Sequence, residues 1–512
     1  MSLSRSAEIR SRLDHPIIDA DGHTSEYLPA FATYLRDVGV STDFNRLFQG
    51  VLGAAGDWYD HTPAERRRKH LTKSPWWTRP MRDARDRAAA CFPRYLRERM
   101  DELGCDLSVV YPSTGLAFLQ VGNPEIRRAA CRALNRYHRD AFDGTTDRLV
   151  PVAAIPAHTP QEAIEELEYA VLELGFRAVV IPSYVPRPLP GYEDADPDTR
   201  RVAFWLDTYG VDSDHDYDPF WRRCIELGVS PGTHTQGNGV GFRRSTESWV
   251  YNHIGHFAAS GEALCKSLFL GGVTRRFPAL RIALLEGGVG WACALYGDLV
   301  GHWQKRNVKA LRENLDPALL DVETFERLAT RWASVGTATP ERIAGLALTT
   351  PGHTSSGAGA GSSGPSDAEI DEFRALGITR AEEIPGLFVP NFYFGCEADD
   401  PMNALAFEGR RWPFGATLKA FYGSDIGHFD VPSLPDVLVE AWENIEHGFM
   451  DAAQFRAFTF EHPARFYLES NPRFFAGTAV EGAVAPLVGG PTAAAPGAAP
   501  AGASSAGGAT AR

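Results

Sequence analysis

Short, almost wholly apolar runs recur along this chain and alternate with stretches whose apolar positions repeat at helical spacing. The runs are "PIIDA" (Pro16–Ala20), "LSVVYP" (Leu107–Pro112), "LVPVAAIP" (Leu149–Pro156) and "RAVVIP" (Arg177–Pro182). They continue with "VSPGTH" (Val229–His234), "RIALLE" (Arg281–Glu286), "NFYFGC" (Asn391–Cys396) and "KAFYGSD" (Lys419–Asp425). Continuous apolar character, instead of strict alternation, is the mark of strands buried on both faces. Between them lie helical patterns such as "TPQEAIEELEYAVLEL" (Thr159–Leu174), where Thr159 is a candidate N-cap followed by acidic first-turn residues. Strand, helix, strand in succession predicts parallel βαβ units, and eight of them predict a (β/α)8 TIM barrel; a doubly wound α/β sheet is the alternative.

Two segments exceed what a minimal barrel needs: about 27–103, after the first strand, and about 300–390, after the sixth. Both leave strand C-termini, where barrels build lids and pocket walls, although packing or oligomer surface would use them equally well. The first contains "SPWWTRP", so Trp76 and Trp77 are expected to contact substrate. "PGHTSSGAGAGSSGPSD" (Pro351–Asp367) reads as a flexible loop within the second. From about 488 to 512 the chain is an Ala/Gly/Pro tail with almost nothing to bury, which leaves one folded domain over 1–487.

Composition narrows the class. The 512 residues are 44% hydrophobic and carry a net charge of −14, a poor match to a phosphate backbone. The basic run "RRRK" (Arg66–Lys69) has Glu65 beside it and reads as a solvated helix face. Seven scattered cysteines, none spaced CxxC, argue for reduced thiols and against both a disulfide framework and a zinc ribbon. No signal-peptide core and no run of about eighteen apolar residues is present, so a cytoplasmic protein without membrane or nucleic-acid partners is expected, acting on a small molecule. Barrels of this size often form homo-oligomers, and one is expected here.

The chemistry sits at the strand ends. If the fold is a catalytic barrel, ionisable residues should gather at strand C-termini and not at N-termini. The first strand runs into Asp21, His23 and Glu26; the fifth ends at His234, the sixth at Glu286, and the eighth at Asp425, with His428 and Asp430 beyond. Imidazoles and carboxylates converging from different strands suit a divalent metal with open positions. Each residue alone has a plainer reading, as a hydrogen-bonded histidine or a turn-forming aspartate. "YNHIGHF" adds His253 and His256, which would share a face if a helix has begun there and would then serve as ligands, substrate donors or helix-start polar groups. Glu397, Asp399 and Asp400 follow the seventh strand and read as loop residues. "GAGAGSSG" lacks the Lys-Ser/Thr of a phosphate loop, no G-x-S-x-G elbow occurs, and Cys265 lies within an amphipathic helix.

"IIDADGH", "DELGCDLSVVYPS", "RLVPVAAIPAHTPQEAIEELEYA", "GGVTRRFPALRIALLEGGVGW", "YGSDIGHFDVP" and "NPRFFAGTAVEG" together resemble the amidohydrolase-related family, from about Pro16 to Gly482. The resemblance implies a metal-dependent (β/α)8 barrel and places the family's ligand positions on Asp21, His23, His234 and Asp425. Decarboxylases of the family often carry a histidine after the sixth strand, where this chain has Glu286; "RAVVIP" also lacks the lysine of a carbamylated dinuclear bridge. The sequence is further similar to a non-heme di-iron monooxygenase branch of bacterial diterpenoid-antibiotic pathways. That likeness implies two iron ions held among His23, Glu26, His234, His253, His256, Glu286 and Asp425, with Asp425, Glu286 and His256 catalytic. It implies O2 and a bulky apolar acid or acyl thioester as co-substrates, with His428 also at the substrate. The alternative implication is a single zinc or manganese ion on Asp21, His23, His234 and Asp425 in a non-oxidative decarboxylase or hydrolase.

Overall fold

The computed structural model describes residues 3–48, 58–77, 82–200, 202–316, 319–332 and 365–489. Among the described residues there are ten strands: β1 (Ile18–Thr24), β2 (Leu107–Pro112), β3 (Leu149–Ala154), β4 (Ala178–Ile181), β5 (Val185–Pro188), β6 (Phe204–Asp207), β7 (Pro231–Thr233), β8 (Ile282–Leu284), β9 (Phe392–Cys396) and β10 (Lys419–Tyr422). Eight of them form one parallel sheet in the order β1-β2-β3-β4-β7-β8-β9-β10. The sheet curls into a nearly closed (β/α)8 barrel, with each of the eight apolar runs supplying one stave. Val109, Tyr111, Val152, Ala154, Val180, Ala283, Tyr393 and Phe421 meet inside it in a single packed core.

The closing seam lies between β10 and β1, just past the end of β10. Asp425 N–H donates to the Asp21 carbonyl at 2.9 Å and His23 N–H to the Ile426 carbonyl at 2.8 Å. Asp19 pins the same seam. Its Oδ2 accepts from the Ser108 and Ser424 hydroxyls at 2.6 and 2.7 Å, and its Oδ1 from the Ser424 and Asp21 amides at 2.9 and 3.1 Å. The β1–β2 register shifts between Asp19 and Gly22, so β1 bulges where its polar residues begin.

β8 and β10 stop short of the polar ends of their runs. Glu286 and Asp425, two and three residues beyond those strand ends, adopt left-handed backbone, φ 56° and 49°, so the strands cannot extend through them. The antiparallel β5–β6 hairpin was not expected. "VPRP" puts two prolines in four residues, which hides a strand from propensity; an isolated two-stranded ribbon tolerates them because its outer edge needs no donor. Thr159 does cap its helix, Pro160–Glu168, accepting from the Glu162 amide.

The described residues of the insertion between β1 and β2 include the helices Leu28–Asp37, Pro63–Lys69, Ala84–Cys91 and Pro93–Leu103. "RRRK" lies on the second of them, where Arg66 packs over the Trp58 ring and Arg67 and Arg68 face solvent. Met1–Leu295 with Pro385–Arg512 makes one compact unit and Tyr296–Ile384 a second, built on helices such as Val308–Asn314 and Val322–Trp332. The "GAGAGSSG" stretch, and the tail beyond Gly489, lie outside the described residues. All seven cysteines are free thiols; Cys91 is partly exposed and the rest are buried, Cys265 among them. Among the described residues no helix is long and apolar enough to cross a membrane.

Candidate metal centre

Four strand ends meet at the C-terminal mouth of the barrel. β1 carries Asp21 and His23, His234 follows β7, Glu286 follows β8, and Asp425 and His428 follow β10. The left-handed backbone at Glu286 and Asp425 is a strain of about 1–3 kcal/mol per residue, and at both sites it turns a carboxylate into the cluster.

The donor atoms converge. His23 Nε2 stands 3.1 Å from His234 Nε2, 3.4 Å from Asp21 Oδ1 and 3.6 Å from Asp425 Oδ1. His234 Nε2 is 2.8 Å from Glu286 Oε2 and 3.8 Å from Asp21 Oδ1. Two overlapping sets result, Asp21–His23–His234 and His23–Glu286–Asp425–His428, each with all its ligand atoms within 4.8 Å of one another. With metal–ligand bonds of about 2.1 Å, atoms sharing one ion stand about 3.0 Å apart at right angles and about 3.4 Å apart in a tetrahedron. The observed separations bracket those values.

Electrostatics say the same. Burial pushes the Asp21 carboxyl up to about 6, eased by His234. Burial and mutual repulsion push Glu286 well above the carboxylate range, with Asp425 its strongest charged neighbour. Asp425 is raised likewise by burial, against the pull of His23. His234 is driven down to about 3 by burial, so its ring is a neutral donor. His23 Nδ1 faces the Pro112 carbonyl at 3.3 Å, which places the proton there and leaves the Nε2 lone pair for the cluster. Asp21 Oδ1, Glu286 Oε2 and both oxygens of Asp425 are buried without a hydrogen-bond donor. Among the described residues no lysine or arginine pairs with any of these three carboxylates. Buried carboxylates crowded on imidazoles, with no lysine or arginine beside them among the described residues, form a cavity deficient in positive charge that a divalent cation completes. The residues therefore fit a metal.

Three expected ligands lie elsewhere. Glu26 is buried, but its oxygens accept the backbone amides of Ser113, Thr114 and Gly115 at 3.2, 2.9 and 3.3 Å. Gly115 allows that approach: a Cβ there would stand 2.4 Å from Leu134 and 3.1 Å from Glu26 Oε1. His253 and His256 do not share one helix. His253 ends Trp249–His253, His256 begins His256–Leu270, and Gly255 turns the chain between them at φ 68°. Their rings touch at 4.4 Å within a ring stack, and neither joins the donor sets.

That stack flanks the mouth. Trp77, Trp249, His253 and Phe429 contact one another, with Trp249 on His253 at 4.1 Å and Trp77 on Trp249 at 4.9 Å. Trp76 is 78% exposed and touches Trp77. The sequence drew attention to the tryptophan pair but not to Trp249 or Phe429. The "HFD" following the eighth strand was the available signal for Phe429.

Residues 68–315 match the amidohydrolase family model. The fold also resembles an amidohydrolase from Mycobacterium avium subsp. paratuberculosis (16% identity, 89% of this chain and 100% of that one, TM-score 0.49). A 2,6-dihydroxybenzoate decarboxylase from Rhizobium aligns at 12% identity over 88% of this chain and 98% of that one, TM-score 0.45. A 5-carboxyvanillate decarboxylase from Novosphingobium aromaticivorans, complexed with manganese and 4-hydroxy-3-methoxy-5-nitrobenzoic acid, aligns at 14% over 89% and 96%, TM-score 0.45. The matched family model covers a little under half of the chain and, with the eight-stranded parallel barrel and the ionisable residues at its C-terminal mouth, agrees with the amidohydrolase-related resemblance read from the sequence.

Proposed function

We propose that the chain is a mononuclear, divalent-metal-dependent enzyme that decarboxylates or hydrolyses a small carboxylic substrate without oxygen. The observation that supports it is the convergence of His23, His234, Asp21, Glu286 and Asp425 donor atoms on one buried, cation-deficient point. Both donor sets contain His23, whose other ring nitrogen faces a backbone carbonyl, so they describe one ion position and not two. A bound zinc or manganese ion supplies Lewis acidity that orients and polarises a carboxylate or carbonyl. The protein does the rest. Asp21, His23 and His234 form the rigid inner face. Asp425, both oxygens of which lack a donor, is the group placed to take up or return a proton. Trp77, Trp249 and Phe429 offer ring faces to the apolar part of the substrate.

A di-iron oxygenase needs a second donor set. Glu26, His253 and His256, which were expected to furnish it, are committed to backbone amides and a ring stack. The two-iron reading therefore finds no support in this arrangement.

The test is turnover of a panel of aromatic and aliphatic carboxylic acids, esters and lactones by manganese- or zinc-loaded protein under argon. Release of CO2 or free acid, undiminished by removing oxygen, is the expected result. Turnover that stops without oxygen and consumes it when present would reject the proposal.

A further inference from the structure

We propose that His428 is itself a ligand of the metal, closing the coordination sphere on its solvent side; the inference rests on the metal-centre reading above. The residue-by-residue likeness to the family named only Asp21, His23, His234 and Asp425 as ligand positions, and His428 was expected only at the substrate. Its placement says more.

His428 Nδ1 lies 2.5 Å from Asp425 Oδ1 and 3.9 Å from Glu286 Oε2, and belongs to the donor set of His23, Glu286 and Asp425. Its ring stacks on that of His23, centroids 3.9 Å apart and planes 26° from parallel. The turn that carries it is tied to His23 itself: His23 N–H donates to the Ile426 carbonyl at 2.8 Å, and His428 N–H to the Asp425 carbonyl at 3.2 Å. Gly427, at φ 103°, makes this possible. A Cβ there would stand 2.6 Å from the His23 carbonyl oxygen, so a larger residue would push the turn off β1. The chain thus presses an imidazole against the metal cluster by backbone design.

Exposure gives the ring its place. The His428 side chain is 18% exposed, whereas those of His23, His234, Asp21, Glu286 and Asp425 are 0–7% exposed. Five donors close the inner side and only His428 borders solvent. The 2.5 Å separation from Asp425 is shorter than the about 3.0 Å edge between two ligands of one ion. Metal binding would therefore open that pair by about half an ångström. The plainer alternative is that His428 only stands as a charge partner beside Asp425 and steadies it.

The two roles separate experimentally. Metal-free full-length wild type, His428→Ala and His428→Gln are titrated with zinc, then loaded with cobalt(II) for proton NMR. Ligating imidazoles give strongly hyperfine-shifted signals. The expected result is three shifted imidazole sets in wild type, two in both variants, and a zinc Kd raised about tenfold or more in both. Glutamine can pair with Asp425 but is a poor ligand, so restoration of wild-type affinity by His428→Gln would overturn the proposal. Two sets in all three proteins would do the same. Circular dichroism of the metal-free variants confirms that they are folded. A wild type that binds no ion would instead reject the metal centre as a whole.

Discussion

Replacing Glu26 tests how many metal positions the barrel holds, because this residue distinguishes a ligand from a strut. Its side chain is fully buried and accepts three successive amides at the start of the turn Thr114–Gln120, with His138 Nε2 3.5 Å away. Glu26→Ala leaves those three donors without an acceptor. At about 1–3 kcal/mol for each orphaned buried amide, and with water entering the vacated space to recover part, the expected loss is about 3–5 kcal/mol. Glu26→Gln keeps one acceptor oxygen but turns an amide nitrogen toward the backbone donors and removes the charge, for a loss of about 1.5–3 kcal/mol. Urea unfolding of metal-free protein measures both, and mass-spectrometric metal analysis of the same samples supplies the second reading. Both variants should be less stable and bind as much metal as wild type. A Glu26→Gln protein of wild-type stability that has lost metal would refute the reasoning and return Glu26 to the ligand set.

Further expectations follow from the same geometry. Asp19→Asn keeps shape but cannot accept all four hydrogen bonds that close the β10–β1 seam, so it should lose about 2–4 kcal/mol in thermal unfolding and weaken zinc binding, since the Asp21 and Asp425 backbones hang on that seam; unchanged zinc affinity would show that the seam does not position the site. His256 is buried with neither ring nitrogen partnered, and burial holds it down to about 2, so below the ordinary histidine value of about 6.5 the unfolded chain binds a proton that the folded one refuses. Stability falls with pH there, by about 2 kcal/mol at pH 5 for this group. His256→Phe should match wild type within about 1 kcal/mol at pH 8 and exceed it by about 2 kcal/mol at pH 5. A constant difference across that range, or loss of bound metal in the variant, would contradict it.

The staves of this barrel were legible in the sequence because strands buried on both faces need uninterrupted apolar runs, and helices between them leave a different period. The gathering of Asp21, His23, His234, Glu286 and Asp425 was legible for a related reason: side chains at strand C-termini converge wherever the staves form a barrel. What spacing could not show was direction. Glu26 sits three residues past His23, yet three amides more than eighty residues away capture it. His253 and His256 look like a helical pair until a left-handed Gly255 breaks the helix between them. The left-handed turns at Glu286 and Asp425 carry no sequence mark, because neither residue is a glycine. The ring cluster of Trp77, Trp249 and Phe429 joins segments that only the folded chain brings together.

The central claim is one metal position at the mouth of the barrel. Metal-free protein titrated with zinc or manganese and freed of excess by gel filtration should hold one ion per chain, and Asp21→Asn with His234→Ala should hold none. Two ions per chain, or one retained after both substitutions, would contradict the account.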